Sequence, residues 1–389
     1  MNPIARIDAH VFNVSSKTNW LFVGVHDDAG RCGWGEASLN GWEPVLLAAL
    51  DRLRPELLGI RPGAAQRGLR VSALSPGGLV ANTAVSALQQ ALVALDAAQQ
   101  GVAVHTLLGA VQRERVALYA NINRATRERT PQGFVATALR AQAQGFTRFK
   151  AAPFDGLTPA LCGQAQGQRL IHHGLDCLLA LRSALGPEAV LMVDCHWRFD
   201  EARALLALCD LAPARLHWLE CPISEAHAHW AATRRIRTAA RDQGVLLAAA
   251  ETQQGLAAFQ TLFDEALYDV VMPDVKYCGG PLEMLQIARR AQEAGVQFSP
   301  HNPSGPVCTW HSLQVAAVAG ECAMLELQFD ESPLYDALVG GPHLSGTDTD
   351  TGTGSGFDLT TMPALALDGA LLASHPYRPV TPGVESLLN

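Results

Sequence analysis

Lysine is scarce in this chain. Of its 29 basic residues only Lys17, Lys150 and Lys276 are lysines, and the rest are arginines. Charge as a whole is sparse: 17% of the 389 residues are charged and 48% are hydrophobic. That balance excludes a disordered chain and implies a globular protein with a large core. The formal net charge of −8 argues against nucleic acid as the main partner. It does not exclude an anionic small molecule, because a bound cation reverses the local sign. The nine cysteines are odd in number, scattered and without a CxxC pair. Free thiols in a reducing compartment fit that pattern; a disulfide framework or a zinc knuckle does not. The first residues lack an apolar signal region, and no stretch of about 18 uncharged apolar residues appears. The expectation is a cytoplasmic protein with no membrane partner. The dinucleotide GxGxxG, the Walker loop and the GxSxG nucleophile elbow are missing as well.

What is present changes texture along the chain. Residues 1–40 alternate like antiparallel strands, Ile4–Asn13 and Leu21–Asp27, with Gly33-Trp34-Gly35-Glu36-Ala37 continuing the sheet. From Glu43 to Leu108 the pattern is helical, and Ser86–Gln100 closes at Gly101 as a C-cap. Residues 1–115 therefore read as an α+β domain. Beyond it, eight short apolar runs alternate with helical stretches: Val116–Ala120, Phe146–Ala151, Val190–Val193, Leu216–Leu219, Leu246–Ala249, Val270–Met272, Gln297–Ser299 and Ala323–Leu325. Such alternation predicts parallel strands with crossover helices, and eight units predict a closed α/β barrel over 116–354. The tail 340–356 reads as a flexible loop. The last segment, about 355–389, is expected to fold back onto the first domain.

Polar residues recur at one point of each unit. Lys150, Asp194, Glu220, Glu251, Asp274, His301 and Glu326 each follow an apolar run, at steps of 44, 26, 31, 23, 27 and 25 residues. All but the first step match one βα unit. The first implies an insertion within 155–175. In such barrels the C-terminal strand ends build the active site. Three acids on successive strands, Asp194, Glu220 and Glu251, would repel one another unless a cation sits between them. Oxygen-only ligation selects Mg²⁺, or Mn²⁺, over Zn²⁺. Asp274 and His301, on adjacent strands, can form a carboxylate–imidazole pair whose second nitrogen acts as a base. A structural Asp–His bond is the plainer alternative. His196, two residues after Asp194, faces the same way if the strand continues. Lys150 can neutralise a bound carboxylate or enolate, and Glu326, if protonated, can donate a hydrogen bond to it. His227-Ala-His229 has the spacing of zinc hydrolases. It opens a predicted helix over 225–240, where residues two apart do not converge.

The order Lys, Asp, Glu, Glu, Asp, His, Glu on successive strand ends resembles the mandelate racemase subgroup of the enolase superfamily. "GWGEAS" at 33–38 and the segment 86–109 resemble that family's capping domain. The resemblance implies a modified (β/α)₇β TIM-like barrel under an N-terminal α+β cap. It implies Asp194, Glu220 and Glu251 as metal ligands, Asp274–His301 as the catalytic dyad and Glu326 as a hydrogen-bond donor to the substrate carboxylate. "DCHWR" at 194–198 resembles the Asp-x-His-x-Arg stretch of galactonate dehydratase and related acid-sugar dehydratases, where the His expels the β-hydroxyl. That role would fall to His196. Racemases of the subgroup carry Lys-x-Lys after the second strand, whereas this chain has Lys150-Ala151-Ala152.

The reading is thus an Mg²⁺-dependent hydro-lyase that turns a sugar acid, aldonate or aldarate, into a 2-keto acid. A racemase or epimerase using the same enolate is the alternative; a non-catalytic acid-binding protein is a third. The expected partner is a small-molecule carboxylate, and the family is commonly homo-oligomeric. The cap loops near Ser15–Trp20 and Ser38–Trp42 are expected to set the substrate, with Lys17, Asn19, Trp20, Arg198 and Lys276 as binding candidates.

Overall fold

A computed structural model describes residues 1–69, 78–339, 356–358 and 365–380. The loop expected over 340–356 lies outside them but for its last residue. The chain opens with a three-stranded antiparallel sheet, β1 Ile4–Asn13, β2 Asn19–Asp27 and β3 Cys32–Glu36, in the order β1-β2-β3. Helices α1 Glu43–Leu57, α2 Pro62–Gly68, α3 Gly78–Gln100 and α4 Val104–Leu108 follow. Helix α3 is long and apolar enough to cross a membrane, yet 83% of its apolar window is buried in the protein. It lies directly on β3, where Gly33 and Gly35 permit the contact: a Cβ there would come within 2.0 Å of the Ala91 carbonyl and 1.9 Å of the Ala87 carbonyl. The GWGE stretch is thus a packing device as well as a strand.

Eight parallel strands come next: β4 Arg115–Asn121, β5 Arg148–Ala151, β6 Val190–Asp194, β7 Trp218–Glu220, β8 Leu246–Ala249, β9 Val270–Val271, β10 Gln297–Phe298 and β11 Leu325–Gln328. Their order β10-β9-β8-β7-β6-β5-β4-β11 puts the last strand beside the first. The seam from β10 to β11 is closed by Ala323 N donating to Phe298 O (2.9 Å), Ser299 Oγ to Met324 O (2.7 Å) and Glu326 N to Pro300 O (3.4 Å). Seven helices alternate with them: α5 Pro131–Ala143, α6 Ala165–Leu185, α7 Glu201–Asp210, α8 Trp230–Arg241, α9 Gly255–Asp264, α10 Pro281–Glu293 and α11 Pro306–Val318. This is the (β/α)₇β barrel. Among the described residues, the next helix after the eighth strand is the five-residue α12 Leu334–Leu338.

Three expectations shift in detail. The last strand begins at Leu325, where the apolar run was expected to end. The long step after Lys150 is filled by a 3₁₀ turn, Pro159–Leu161, and the 21-residue α6. The helix expected from Glu225 starts at Trp230, behind a 3₁₀ turn over His227–His229.

Tyr119, Met192, Trp218, Ala248, Val270, Met272 and Met324 pack inside the barrel as its floor. A late segment meets the cap: α13 Gly369–Ser374 packs on β1, and Asn13 N donates to His375 O (2.9 Å). The short β12 Gly356–Asp358 pairs with the outer part of β4.

Candidate active site at the top of the barrel

Period-2 alternation carries side chains from the barrel floor up to the site. Met192 points inward, so Asp194 does too; the same holds for Trp218 and Glu220. Glu251 breaks that rhythm. Ala248 is level with Glu220, and three residues further Glu251 turns back inward after Ala250, whose φ is +83°. The carboxylate oxygens of Asp194, Glu220 and Glu251 lie within 4.8 Å of one another, all buried. They form an acidic triad able to hold a metal ion.

The triad fits a hard cation by its donors and by its charge. Burial pushes the Glu220 carboxyl up, reinforced by Asp194 and Glu326 and opposed by Lys150. Lys150, 1% exposed, sets its Nζ 2.6 Å from Glu220 Oε1 and 2.9 Å from Glu326 Oε1. Burial alone would strip its proton, but those two carboxylates hold the ammonium charged. With Asp274 and Lys276 included, the site sets five carboxylates against two ammonium groups. A divalent ion offsets most of that imbalance.

His301 and Asp274 meet, His301 Nδ1 lying 2.8 Å from Asp274 Oδ2. The other nitrogen, Nε2, faces the acids, 3.5 Å from Glu251 Oε2 and 3.9 Å from Glu326 Oε2. Asp274 also accepts from Lys276 Nζ and from Lys276 N, the latter at 2.9 Å. Despite burial, Lys276 and His301 hold its carboxyl low. His196 meets a different member of the triad, Nε2 at 2.7 Å from Asp194 Oδ2. It arrives there by a different route from the one expected. The strand ends at Asp194, and His196 and Trp197 adopt left-handed backbone, φ +47° and +55°.

Glu326 accepts hydrogen bonds from Asn121 Nδ2 (2.6 Å) and Asn302 N (2.9 Å), besides its bond to Lys150. Burial raises its pKa, but Lys150 and His301 outweigh that and keep it ionised. In this state it is an acceptor, whereas the resemblance implies a donor.

The binding candidates divide. Trp20 and Lys276 line a narrow cavity between cap and barrel, with Asn19, Ser38, Arg124 and Ser304. The Asn19 amide is spent inside the cap, donating to Glu43 Oε1 (3.0 Å) and Arg378 O (2.8 Å). Lys17 is exposed on the turn before β2. Arg198 turns to the loop after β5, donating to Phe154 O (2.6 Å). His227 and His229 are exposed and away from the triad.

Two groups escaped the sequence reading. Asn121 ends β4 just after an apolar run, so the strand-end rule would have found it. Glu36 of the cap is fully buried and receives Gly305 N (2.8 Å), Cys308 N (2.9 Å) and Ser38 Oγ (2.7 Å), fastening the cap to the start of α11.

A (β/α)₇β barrel with a buried acidic triad and a His–Asp pair at its strand ends defines a class of enzyme. The chain belongs to the enolase superfamily: the family described as Enolase C-terminal domain-like matches residues 133–360. Within it the chain is similar to acid-sugar dehydratases. It is 27% identical to a D-galactonate dehydratase of Verminephrobacter eiseniae, over 79% of this chain and 78% of that one. A D-galactonate dehydratase family member of Streptomyces bingchenggensis is 27% identical over 95% and 92% of the two chains. A D-xylonate dehydratase of Haloferax volcanii is 26% identical over 85% and 80%. Among solved structures, a mandelate racemase/muconate lactonizing enzyme-like protein of Rubrobacter xylanophilus superposes with a TM-score of 0.84, at 26% identity over 98% and 99% of the chains.

Proposed function

We propose that this protein is a cytoplasmic, Mg²⁺-dependent dehydratase of a sugar acid, aldonate or aldarate. The observation that carries the reading is the contact of two imidazoles with different members of one acidic triad, His301 with Glu251 and His196 with Asp194. Asp194, Glu220 and Glu251 would hold the cation, which supplies positive charge beside the substrate carboxylate and the enediolate formed from it.

The chain's own residues do the rest. With its Nδ1–H donating to Asp274, His301 presents a basic Nε2 to the α-carbon and takes the α-proton. His196 gives a proton to the β-hydroxyl as the β-carbon–oxygen bond breaks, and water leaves. The resulting enol becomes a 2-keto acid by taking a proton at the β-carbon and releasing the proton of its α-hydroxyl. Lys150 offsets negative charge beside Glu220 and Glu326. Trp20 and Lys276 wall the space under the cap. Ala152 stands where the second lysine of Lys-x-Lys would be, which counts against two-base racemisation there.

The test is a library of aldonates and aldarates incubated with the full chain and Mg²⁺, read by semicarbazide for 2-keto product. A product that requires Mg²⁺ is expected. Incorporation of deuterium at the α-carbon from D₂O without any keto product would replace the reading by an epimerase. Neither product nor exchange would leave a binding protein.

A further inference from the structure

One carboxylate beside the triad has no place in the reaction. Glu225 sits in the loop after β7, five residues beyond Glu220. Its Oε1 accepts from Trp197 Nε1 (2.9 Å), Ala250 N (3.4 Å) and Cys221 Sγ (3.8 Å), and its Oε2 accepts from Gln253 Nε2 (3.1 Å). Each donor to Oε1 belongs to a residue adjacent to the site. Trp197 follows His196, Cys221 follows Glu220, and Ala250 precedes Glu251.

The same three residues have left-handed backbone, with φ of +55°, +43° and +83°. None is glycine. Such a conformation costs on the order of 1–3 kcal/mol per residue and persists only where the surroundings hold it. Backbone bonds join the loops nearby, Trp197 N to Cys221 O (2.6 Å) and Cys221 N to Ala248 O (3.0 Å). Glu225 is the one side chain, among the described residues, seen bonded to all three left-handed turns. The turn at Ala250 brings Glu251 inward, and the other two directly follow Glu220 and His196.

We infer that Glu225 is a positioning residue: one carboxylate, bonded to three strained turns, fixes the directions of Glu220, Glu251 and His196 and so sets the affinity of the triad for its ion. This rests on reading the triad as a metal site. Groups that orient metal ligands from behind are typically worth about 10–100-fold in metal affinity. Glutamine at 225 is the mild change, because its amide oxygen replaces Oε1 and Gln253 can turn its own amide to match. Alanine releases all four donors.

Mn²⁺ binding to the full chain, followed by the electron paramagnetic resonance of free Mn²⁺, tests this. Glu225→Ala is expected to weaken Mn²⁺ binding about 10–100-fold, with Glu225→Gln and Trp197→Phe between it and wild type. The double variant Glu225→Ala/Trp197→Phe should bind no worse than Glu225→Ala, since both remove one interaction. A merely structural role would lower the melting temperature and leave the dissociation constant unchanged; that result overturns the inference. If Glu225→Ala does not fold, wild-type affinity in both milder variants overturns it. Glu220→Gln separates the two readings. Should wild type bind no Mn²⁺, or Glu220→Gln bind it as well as wild type, the metal reading itself fails.

Discussion

The two imidazoles differ in what stands behind them, and this separates their chemistry. His301 has a buried carboxylate at 2.8 Å on the nitrogen turned away from the triad, the arrangement of an oriented base. His196 has its Nε2 on a triad carboxylate instead and, among the described residues, no carboxylate on its other nitrogen. Replacing each by Asn should therefore give unlike outcomes. His301→Asn should abolish both α-deuterium exchange in D₂O and 2-keto product, a loss of at least about 10²-fold. His196→Asn should keep α-exchange and lose product. Nuclear magnetic resonance of the recovered acid distinguishes them, and exchange surviving in His301→Asn would exchange the roles. Most of these residues were legible as letters, because a polar residue after an apolar run is what a barrel strand end looks like. The directions of some were not. His196 faces the triad through a left-handed turn, and Glu251 through the turn at Ala250. Neither turn contains glycine, so neither leaves a mark in the sequence. Glu225 lies in an ordinary polar turn and carries no mark either.

At the level of elements, all eight barrel strands were visible, most of them because strands buried on both faces read as apolar runs. Phe146–Ala151 and Gln297–Ser299 contain polar residues and are placed by the βα spacing. Less visible was what the helices do between domains. Helix α11 is buried almost all round, lying between the barrel and β3. It carries His311, fully buried, whose Nε2 meets Trp34 O at 2.9 Å. Burial lowers its pKa to about 4 from 6.5. The unfolded chain then takes up a proton near pH 6.5 that the folded chain refuses until near pH 4. Stability from this group is complete above 6.5 and is lost as the pH falls toward 4. At pH 5 the loss is about 2 kcal/mol. His311→Gln keeps a donor for Trp34 O and does not titrate. Urea unfolding at pH 7 and pH 5 should show wild type losing about 2 kcal/mol more than the variant. An equal loss in both would mean that His311 accepts its proton in the folded state.

For the whole molecule, the site is a place where the fold works against itself. Three carboxylates are buried at one end of a barrel whose interior below them is apolar, and burial with like charge pushes Glu220 up. Lys150 offsets part of this by touching Glu220 and Glu326. What remains is repulsion that folding must overcome until an ion enters, so ion binding should appear as stability of the entire chain. At a free Mg²⁺ concentration 100 times the dissociation constant, linkage gives about 2.7 kcal/mol. With unfolding entropy scaling with chain length, that corresponds to roughly 3 °C in melting temperature. A chelator should remove the increment, and Na⁺ at equal ionic strength should not supply it. Glu220→Gln sharpens the argument, because it removes one repelling charge and one ligand together. Its metal-free melting temperature should equal or exceed that of wild type, while Mg²⁺ should no longer raise it. Thermal unfolding followed by circular dichroism, with and without Mg²⁺, reads both effects at once. A variant that melts lower than metal-free wild type and still responds to Mg²⁺ would mean that Glu220 serves the barrel through Lys150 and Trp218 Nε1, its two partners, and that the ion is held elsewhere.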